Sequence, residues 1–294
     1  MSAPFDDRDG FIWYDGTMKP WRESTLHVLS HALHYGSSIF EGIRVYGGTI
    51  FKLREHTLRL IFSAEQMGFH IPYTADQIDQ ACLDIVKVQK ISDGYLRPVA
   101  WRGSEMMGVS AQQSKIHLAV AAWEWPSYFS PEARAKGIKM ITSRWRRPSP
   151  ENGPVKAKAA GLYMICTLSK HEAESQGCHD ALMHDYRGLL AEATGANLFL
   201  AIDGKLHTPT PDCFLDGITR QTVIGLAKAR GIEVIERHIN PDELKLAQEI
   251  FLTGTAAEIT PVGQIDSLAF TPGRLTEILI DDYTAATRNH KAAA

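Results

Sequence analysis

The sequence predicts an α+β protein of two domains. Three observations carry that expectation. Strand-like and helix-like segments alternate without a strict strand–helix–strand rhythm, which disfavours a doubly wound sheet. The length, 294 residues, suits two domains at about 150 residues each. Near the middle, RRPSPENGPV (146–155) combines three prolines with Gly153 and Asn152, residues that interrupt regular backbone pairing. The expected division is a smaller α/β domain over 1–147, a linker over 148–155 and a larger domain over 156–294.

In the first half, SIFEGIRVY (38–46) and TIFK (49–52) flank Gly47-Gly48, the dipeptide of a tight hairpin. LREHTLRLIFSAEQMGF follows. Leu58, Ile61 and Phe62 fall at i, i+3 and i+4, so they predict a helix with these three on one face. Thr74 stands where it would cap a second helix, TADQIDQACLDIVKVQK. YLRPVAW and KIHLAVAAWEW read as strands. The second half opens with a helix expected near Ala159–Gln176, its less polar stripe marked by Leu162, Ile165, Cys166 and Ser169. DALMHD and NLFLAID read as strands on either side of turn residues. GITRQTVIGLAKARG has helix period and stops at Gly231, and the strand EIFLTG runs into TAAEITPV.

Composition narrows the function classes. Hydrophobic residues are 44% and charged residues 22%, an ordinary globular balance. The net charge of -3 argues against a general nucleic-acid surface, which needs a basic excess. Cys82, Cys166, Cys178 and Cys213 show no C-x-x-C spacing, so neither a disulfide scaffold nor a zinc ribbon is expected. HEAES (171–175) has Ser175 where a zinc protease needs its second histidine. His31 and His34 have no evident third ligand, and no metal is expected. MSAPFDDRDG is polar and acidic, unlike a signal peptide, and no apolar run approaches the ~20 residues that span a bilayer. The expectation is a cytoplasmic protein without nucleic-acid or membrane partners.

One stretch calls for chemistry: ENGPVKAKAAGLY (151–163). Lys156 and Lys158 stand among alanines and Gly161 at the entry to a helical pattern. A deprotonated lysine forms a Schiff base with an aldehyde, the basis of pyridoxal phosphate (PLP) chemistry, and small neighbours would admit a bulky ring. Such an enzyme also needs a phosphate grip. DGITRQTVIGLAK offers a helix N-terminus with the N–H groups of Ile218 and Thr219. TGTAAE (253–258) adds Thr255, and Arg59 offers a counter-charge. Glu192, in LLAEATGANLF, reads as a turn residue that would serve as the carboxylate beside a pyridine nitrogen. Taken singly, each of these is as readily a solvated surface or turn residue.

Taken in order, HALHYGSSIFEGIRVY, REHTLRL, GYLRPVAW, GLLAEATGANLF, DGITRQTVIGLAK and TGTAAEITPV resemble the fold type IV (class IV) PLP aminotransferases over residues 11–265. Within that family the chain is most similar to the bacterial branched-chain amino acid aminotransferases. The resemblance implies two domains with the active site between them, and PLP as cofactor. It implies transfer of the amino group of leucine, isoleucine or valine to 2-oxoglutarate. It also implies a homodimer or higher homo-oligomer, because Val109 would lie in a loop that closes over a neighbouring subunit's site. The family lysine precedes a tyrosine by five residues, which selects Lys158 over Lys156 and pairs it with Tyr163. Glu192 would meet the ring nitrogen and Leu215 would pack on the ring. Arg59, Ile218, Thr219 and Thr255 would hold the phosphate. Tyr95, with the N–H groups of Thr255 and Ala256, would hold the substrate α-carboxylate. Arg97, with Tyr35 and Tyr128, would hold the distal carboxylate of glutamate. Phe40, Gly42 and Trp125 would line the apolar pocket. The alternatives within the family are D-amino acid aminotransferase, (R)-amine transaminase and aminodeoxychorismate lyase. Three positions depart from the family pattern: Ala160-Gly161-Leu162 after the lysine, Ala196, and Asp216. An acid at 216 would oppose a phosphate if its side chain pointed inward.

Overall fold

The computed structural model describes residues 4–125 and 136–288. The chain divides into two compact units, Met1–Pro126 with Ala157–Leu162, and Ser127–Lys156 with Tyr163–Ala294. This differs from the expected boundaries in two places. Ile138–Thr142 already belongs to the second unit, because it pairs in parallel with two strands of that unit. The run Ala157–Leu162 returns to the first unit, where Ile39 bridges Ala159 and the Phe40 N–H donates to the Lys158 carbonyl at 3.1 Å.

In the first unit, strands β1 (Phe11–Tyr14), β2 (Thr17–Pro20), β3 (Ser38–Phe40), β4 (Ile43–Tyr46), β5 (Thr49–Ile50), β6 (Gly94–Arg102) and β7 (Ile116–Glu124) form one antiparallel sheet. Its order is β2-β1-β7-β6-β4-β5, with β3 also on β6. The expected hairpin joins β4 to β5, and Gly47 and Gly48 take φ of 55° and 82°, where a β-carbon is strained. β3 and β4 run along the same partner and are separated only at Glu41-Gly42. Pro98 explains the break. Its carbonyl accepts from the Glu41 N–H at 2.8 Å, but proline has no N–H to return the bond.

Helix α1 (His31–Tyr35) is short; α2 (Leu53–Gln66) and α3 (Ala75–Val88) are longer. Thr74 and Gln77 form a reciprocal capping box at the start of α3, as the sequence suggested. Ile78, Ala81, Cys82 and Ile85 of α3 join a core with Ile43, Val45, Leu96, Leu118 and Val120. α2 forms where expected, but its inward face is not the one expected. His56, Thr57, Leu60, Ser63 and Ala64 are buried, whereas Leu58 and Phe62 are 53% and 39% exposed. Polar partners turn the helix: His56 meets Glu41, Thr57 donates to Asp79, and the Ser63 hydroxyl accepts from the Lys158 N–H.

The second unit holds β8 (Ile138–Thr142), β9 (Asp180–His184), β10 (Leu190–Ala193), β11 (Asn197–Ile202), β12 (Lys205–Pro209), β13 (Val234–Arg237), β14 (Glu249–Gly254), β15 (Glu258–Ile265) and β16 (Leu268–Ala269). Its helices are α4 (Met164–Ser175), α5 (Ile218–Ala229) and α6 (Arg274–Arg288). The strand order is β10-β9-β8-β15-β14-β11-β12-β13, and β10 also pairs with β11, so six strands close on themselves. Parallel pairs β8–β9 and β12–β13 are each linked through a helix, while β9–β10, β11–β12, β11–β14 and β14–β15 are antiparallel. This mixture is the α+β class the sequence predicts. Ile138, Leu182, Leu198, Leu200, Leu252 and Val262 form its core. The helix expected from Ala159 begins only at Met164, after a 3-10 turn over Ala160–Tyr163; Cys166 and Ser169 are buried on it. Among the described residues, no helix is long and apolar enough to cross a membrane, and the four cysteines form no disulfide.

Candidate active site

The first unit draws most of the expected substrate residues around Lys158. Two main-chain bonds stitch the lysine in place: its carbonyl accepts from Phe40 on β3, and its N–H donates to Ser63 of α2 at 3.0 Å. Ala157 and Ala159 on either side are 2% exposed and belong to the core. Ala157 and Ala159 therefore pack in the core, while Ala160 is exposed. Lys158 is half-buried and Lys156 is exposed. The Lys158 Nζ stands over the Phe40 ring, 4.9 Å from its centroid. Arg97 lies over the same ring at 4.7 Å and over Tyr95 at 5.3 Å, and its Nη2 donates to the Tyr95 hydroxyl at 3.4 Å. Tyr95 and Trp125 have ring centroids 5.7 Å apart. Gly42 completes the group, since a β-carbon there would collide with the Tyr95 hydroxyl.

Arg59 enters this unit from α2 already paired. Its Nε donates to Glu41 Oε1 at 2.7 Å and its Nη2 to Glu41 Oε2 at 2.8 Å. His56 Nδ1 donates to Glu41 Oε2 at 2.7 Å. Burial alone would raise the Glu41 pKa, but the Arg59 guanidinium and His56 outweigh it and hold this carboxyl well below the usual carboxylate range. Burial lowers His56, so it meets Glu41 as a neutral donor. Burial, and then the Arg59 charge, bring Lys158 down from 10.5 to about 8, against the opposing pull of Glu41. An amine near 8 has an accessible neutral form at physiological pH, which a nucleophile or general base needs.

The second unit holds the residues expected around a cofactor ring. Glu192 is not on a turn, as the sequence suggested, but on β10, paired with Asn197 of β11. It is 8% exposed. Asn197 Nδ2 donates to Glu192 Oε2 at 3.2 Å and to the Leu215 carbonyl at 2.9 Å. Arg147 lies on the other oxygen, its Nε 3.4 Å from Oε1. Arg147 is itself buried, with its Nη1 3.3 Å from the Cys166 sulfur. The neighbouring Glu192 raises the Arg147 pKa against the lowering effect of burial, so Arg147 keeps its charge. Tyr163 precedes α4, half-buried. Ile218 and Thr219 open α5, whose first turn carries no side-chain cap, leaving its backbone donors for another acceptor. Thr255 and Ala256 form the turn between β14 and β15. Asp216 is exposed and its carboxylate pairs with Arg220, in the first turn of α5, at 2.8 Å.

Two expected residues stand apart from the Lys158 cluster in the first unit. Tyr35, on α1, is 45% exposed and stacks on His31, and Val109 is 87% exposed. Tyr128 lies outside the described residues. Sequence reasoning missed Glu41, His56, Arg147 and Asn197. A signal was available for the first pair: a lone acid interrupts the apolar run SIFEGIRVY, and His56 and Arg59 are spaced i, i+3 on one helix.

A family model described as amino-transferase class IV matches residues 38–265. The branched-chain-amino-acid aminotransferase of Pseudomonas aeruginosa is 43% identical over 272 residues, covering 91% of this chain and 89% of the relative. The crystal structure of the Escherichia coli branched-chain amino acid aminotransferase superposes with a TM-score of 0.92 at 36% identity, covering 97% and 98%. A branched-chain amino acid aminotransferase from T.th., solved with pyridoxamine 5'-phosphate, gives 0.93 at 39% identity, covering 97% and 96%.

Proposed function

The chain belongs to the class IV aminotransferases, and from that premise we propose that it transfers the amino group of L-leucine, L-isoleucine or L-valine to 2-oxoglutarate with pyridoxal 5'-phosphate as cofactor. It is an enzyme, an aminotransferase. The observation that carries the reading is Lys158: an amine pinned by its own backbone, placed over Phe40 and depressed to about 8. The donor set of each unit fits the cofactor. The first supplies the depressed amine; the second supplies a buried carboxylate beside Arg147 and an uncapped helix N-terminus. Two relatives named for branched-chain amino acids, and one solved with pyridoxamine 5'-phosphate, support the substrate class and the cofactor.

Bound PLP supplies an aldehyde that joins an amine and a ring that draws electrons from the adjacent carbon. Lys158 is the residue that would hold that aldehyde, and its Nζ would be the base that takes the substrate α-proton and gives it back. Glu192 would meet the ring nitrogen and keep it protonated; Arg147 and Asn197 hold its two oxygens in place for that task. Tyr163 would donate to the phenolic oxygen, Leu215 would pack on the ring, and the N–H groups of Ile218 and Thr219, with Thr255 and Arg59, would receive the phosphate. Tyr95, Thr255 and Ala256 take the α-carboxylate. Phe40, Gly42 and Trp125 bound an apolar pocket, and Arg97 at its edge answers the carboxylate of glutamate. Its guanidinium rests on Phe40 when no carboxylate is present to receive it. Four cysteines without a disulfide suit the reducing cytoplasm.

Single-turnover spectra of the holoenzyme with L-leucine, L-glutamate, D-alanine and (R)-1-phenylethylamine test the assignment. The two L-amino acids should bleach the imine absorbance, and the other two should lag by about a hundredfold or more, about 2.7 kcal/mol in transition-state binding. Preference for D-alanine or the (R)-amine would move the chain to another branch of the family. Arg97→Ala should slow the glutamate half-reaction about tenfold more than the leucine one.

A further inference from the structure

We propose that Glu41 is the positioning residue for the cofactor's phosphate: it holds the Arg59 guanidinium in one plane and so fixes the heading of the cation that meets that anion. The proposal rests on the reading above that Arg59 receives the phosphate, and it extends the site to a carboxylate that the sequence comparison does not mark.

Several independent features single out Glu41. It is fully buried, at 0% exposure, and is the one acid in the run SIFEGIRVY (38–46). A buried carboxylate is retained only with strong partners. Here both oxygens are taken in a fork by the Nε and Nη2 of Arg59, at 2.7 and 2.8 Å. Such a bidentate pair fixes the plane of the guanidinium as well as its distance. His56 Nδ1 at 2.7 Å and the Gly42 N–H at 3.3 Å hold the carboxylate from the other side, so the fork has a rigid base. The backbone is arranged for the same end. Because Pro98 cannot donate, the ladder opens between β3 and β4, and Glu41 sits in the opening. The adjoining Phe40 N–H holds the Lys158 carbonyl at 3.1 Å. One short segment thus locates the nucleophile through its main chain and the phosphate-binding cation through its side chain.

A purely structural ion pair makes a different prediction, and the phosphate separates the two. Apo-protein is titrated with PLP and with pyridoxal, which carries the same aldehyde and ring but no phosphate, and imine absorbance gives both dissociation constants. Glu41→Asp keeps the charge and shortens the reach. It should weaken PLP by about tenfold, the equivalent of ~1.4 kcal/mol, and leave pyridoxal within about twofold. Glu41→Gln should weaken PLP more strongly still. Arg59→Lys should match it, and the Glu41→Asp/Arg59→Lys double variant should lose no more than the worse single variant, because the two act as one unit. Equal weakening of both ligands, or additive losses in the double variant, would overturn the proposal. So would an unchanged ratio of the two constants in Glu41→Asp, the variant least prone to misfold. Wild-type protein that forms no imine with either ligand would instead overturn the functional reading itself.

Discussion

Lys158 is one proton away from being inert. In the unfolded chain its amine keeps the ordinary value of 10.5; in the fold, burial and the Arg59 charge bring it to about 8. Between those values the unfolded chain binds a proton that the folded chain has released. Stability of the cofactor-free protein therefore rises with pH from 8 to 10.5, because the cost of burying the charged amine is present in full below 8 and is relieved above it. Urea unfolding of the apo-protein at several pH values, compared with Lys158→Met, isolates this contribution: the substitution should stabilise most below pH 8 and least above 10.5. A difference that grows with pH would contradict the assignment. Glu192 and Arg147 carry the opposite lesson. Each is buried because the other is there, so removing either leaves an uncompensated charge, and a loss of activity in Glu192→Gln mixes catalysis with packing.

How well the elements could be read from the sequence follows from how local their causes are. The Gly47-Gly48 hairpin and the Thr74–Gln77 box depend on residues a few positions apart, and both form where expected. The opening of α5 after Gly217 is local too. The buried face of α2 depends on Glu41 and Asp79, far along the chain, so the Leu58–Ile61–Phe62 spacing pointed to the wrong face. Glu192 lies on a strand because β10 pairs with both β9 and β11, a closure that no short window contains. The break at Glu41 looked like unbroken strand because its cause, Pro98, sits on the opposite strand of the ladder. Lys158 itself was distinguished from Lys156 only through the resemblance. The physical difference is that main-chain bonds from Phe40 and to Ser63 hold position 158, while Lys156 is exposed.

Exposed apolar residues of the first unit suit the homodimer that the family resemblance implies. Val28, Leu29 and Leu33 are 72%, 46% and 62% exposed, and Leu26 and Leu33 border a hollow of about 270 Å³ with Tyr14, Val99 and Trp101. His31 Nε2 donates to the Gly108 carbonyl at 2.9 Å, tying the loop of Met107 and Val109 to the same helix. Apolar residues gathered in this way mark an interface more often than a solvated face. Sedimentation equilibrium should give at least twice the chain mass at micromolar concentration, and Leu33→Asp should lower it; a monomer at every concentration would remove the dimer. The central claim is more direct still, a bond between one nitrogen and one aldehyde. PLP-loaded protein is reduced with borohydride, digested, and its peptides weighed and fragmented. The phosphopyridoxyl mass should sit on Lys158 alone, and its appearance on Lys156 or on any other lysine, or on none, would contradict the account.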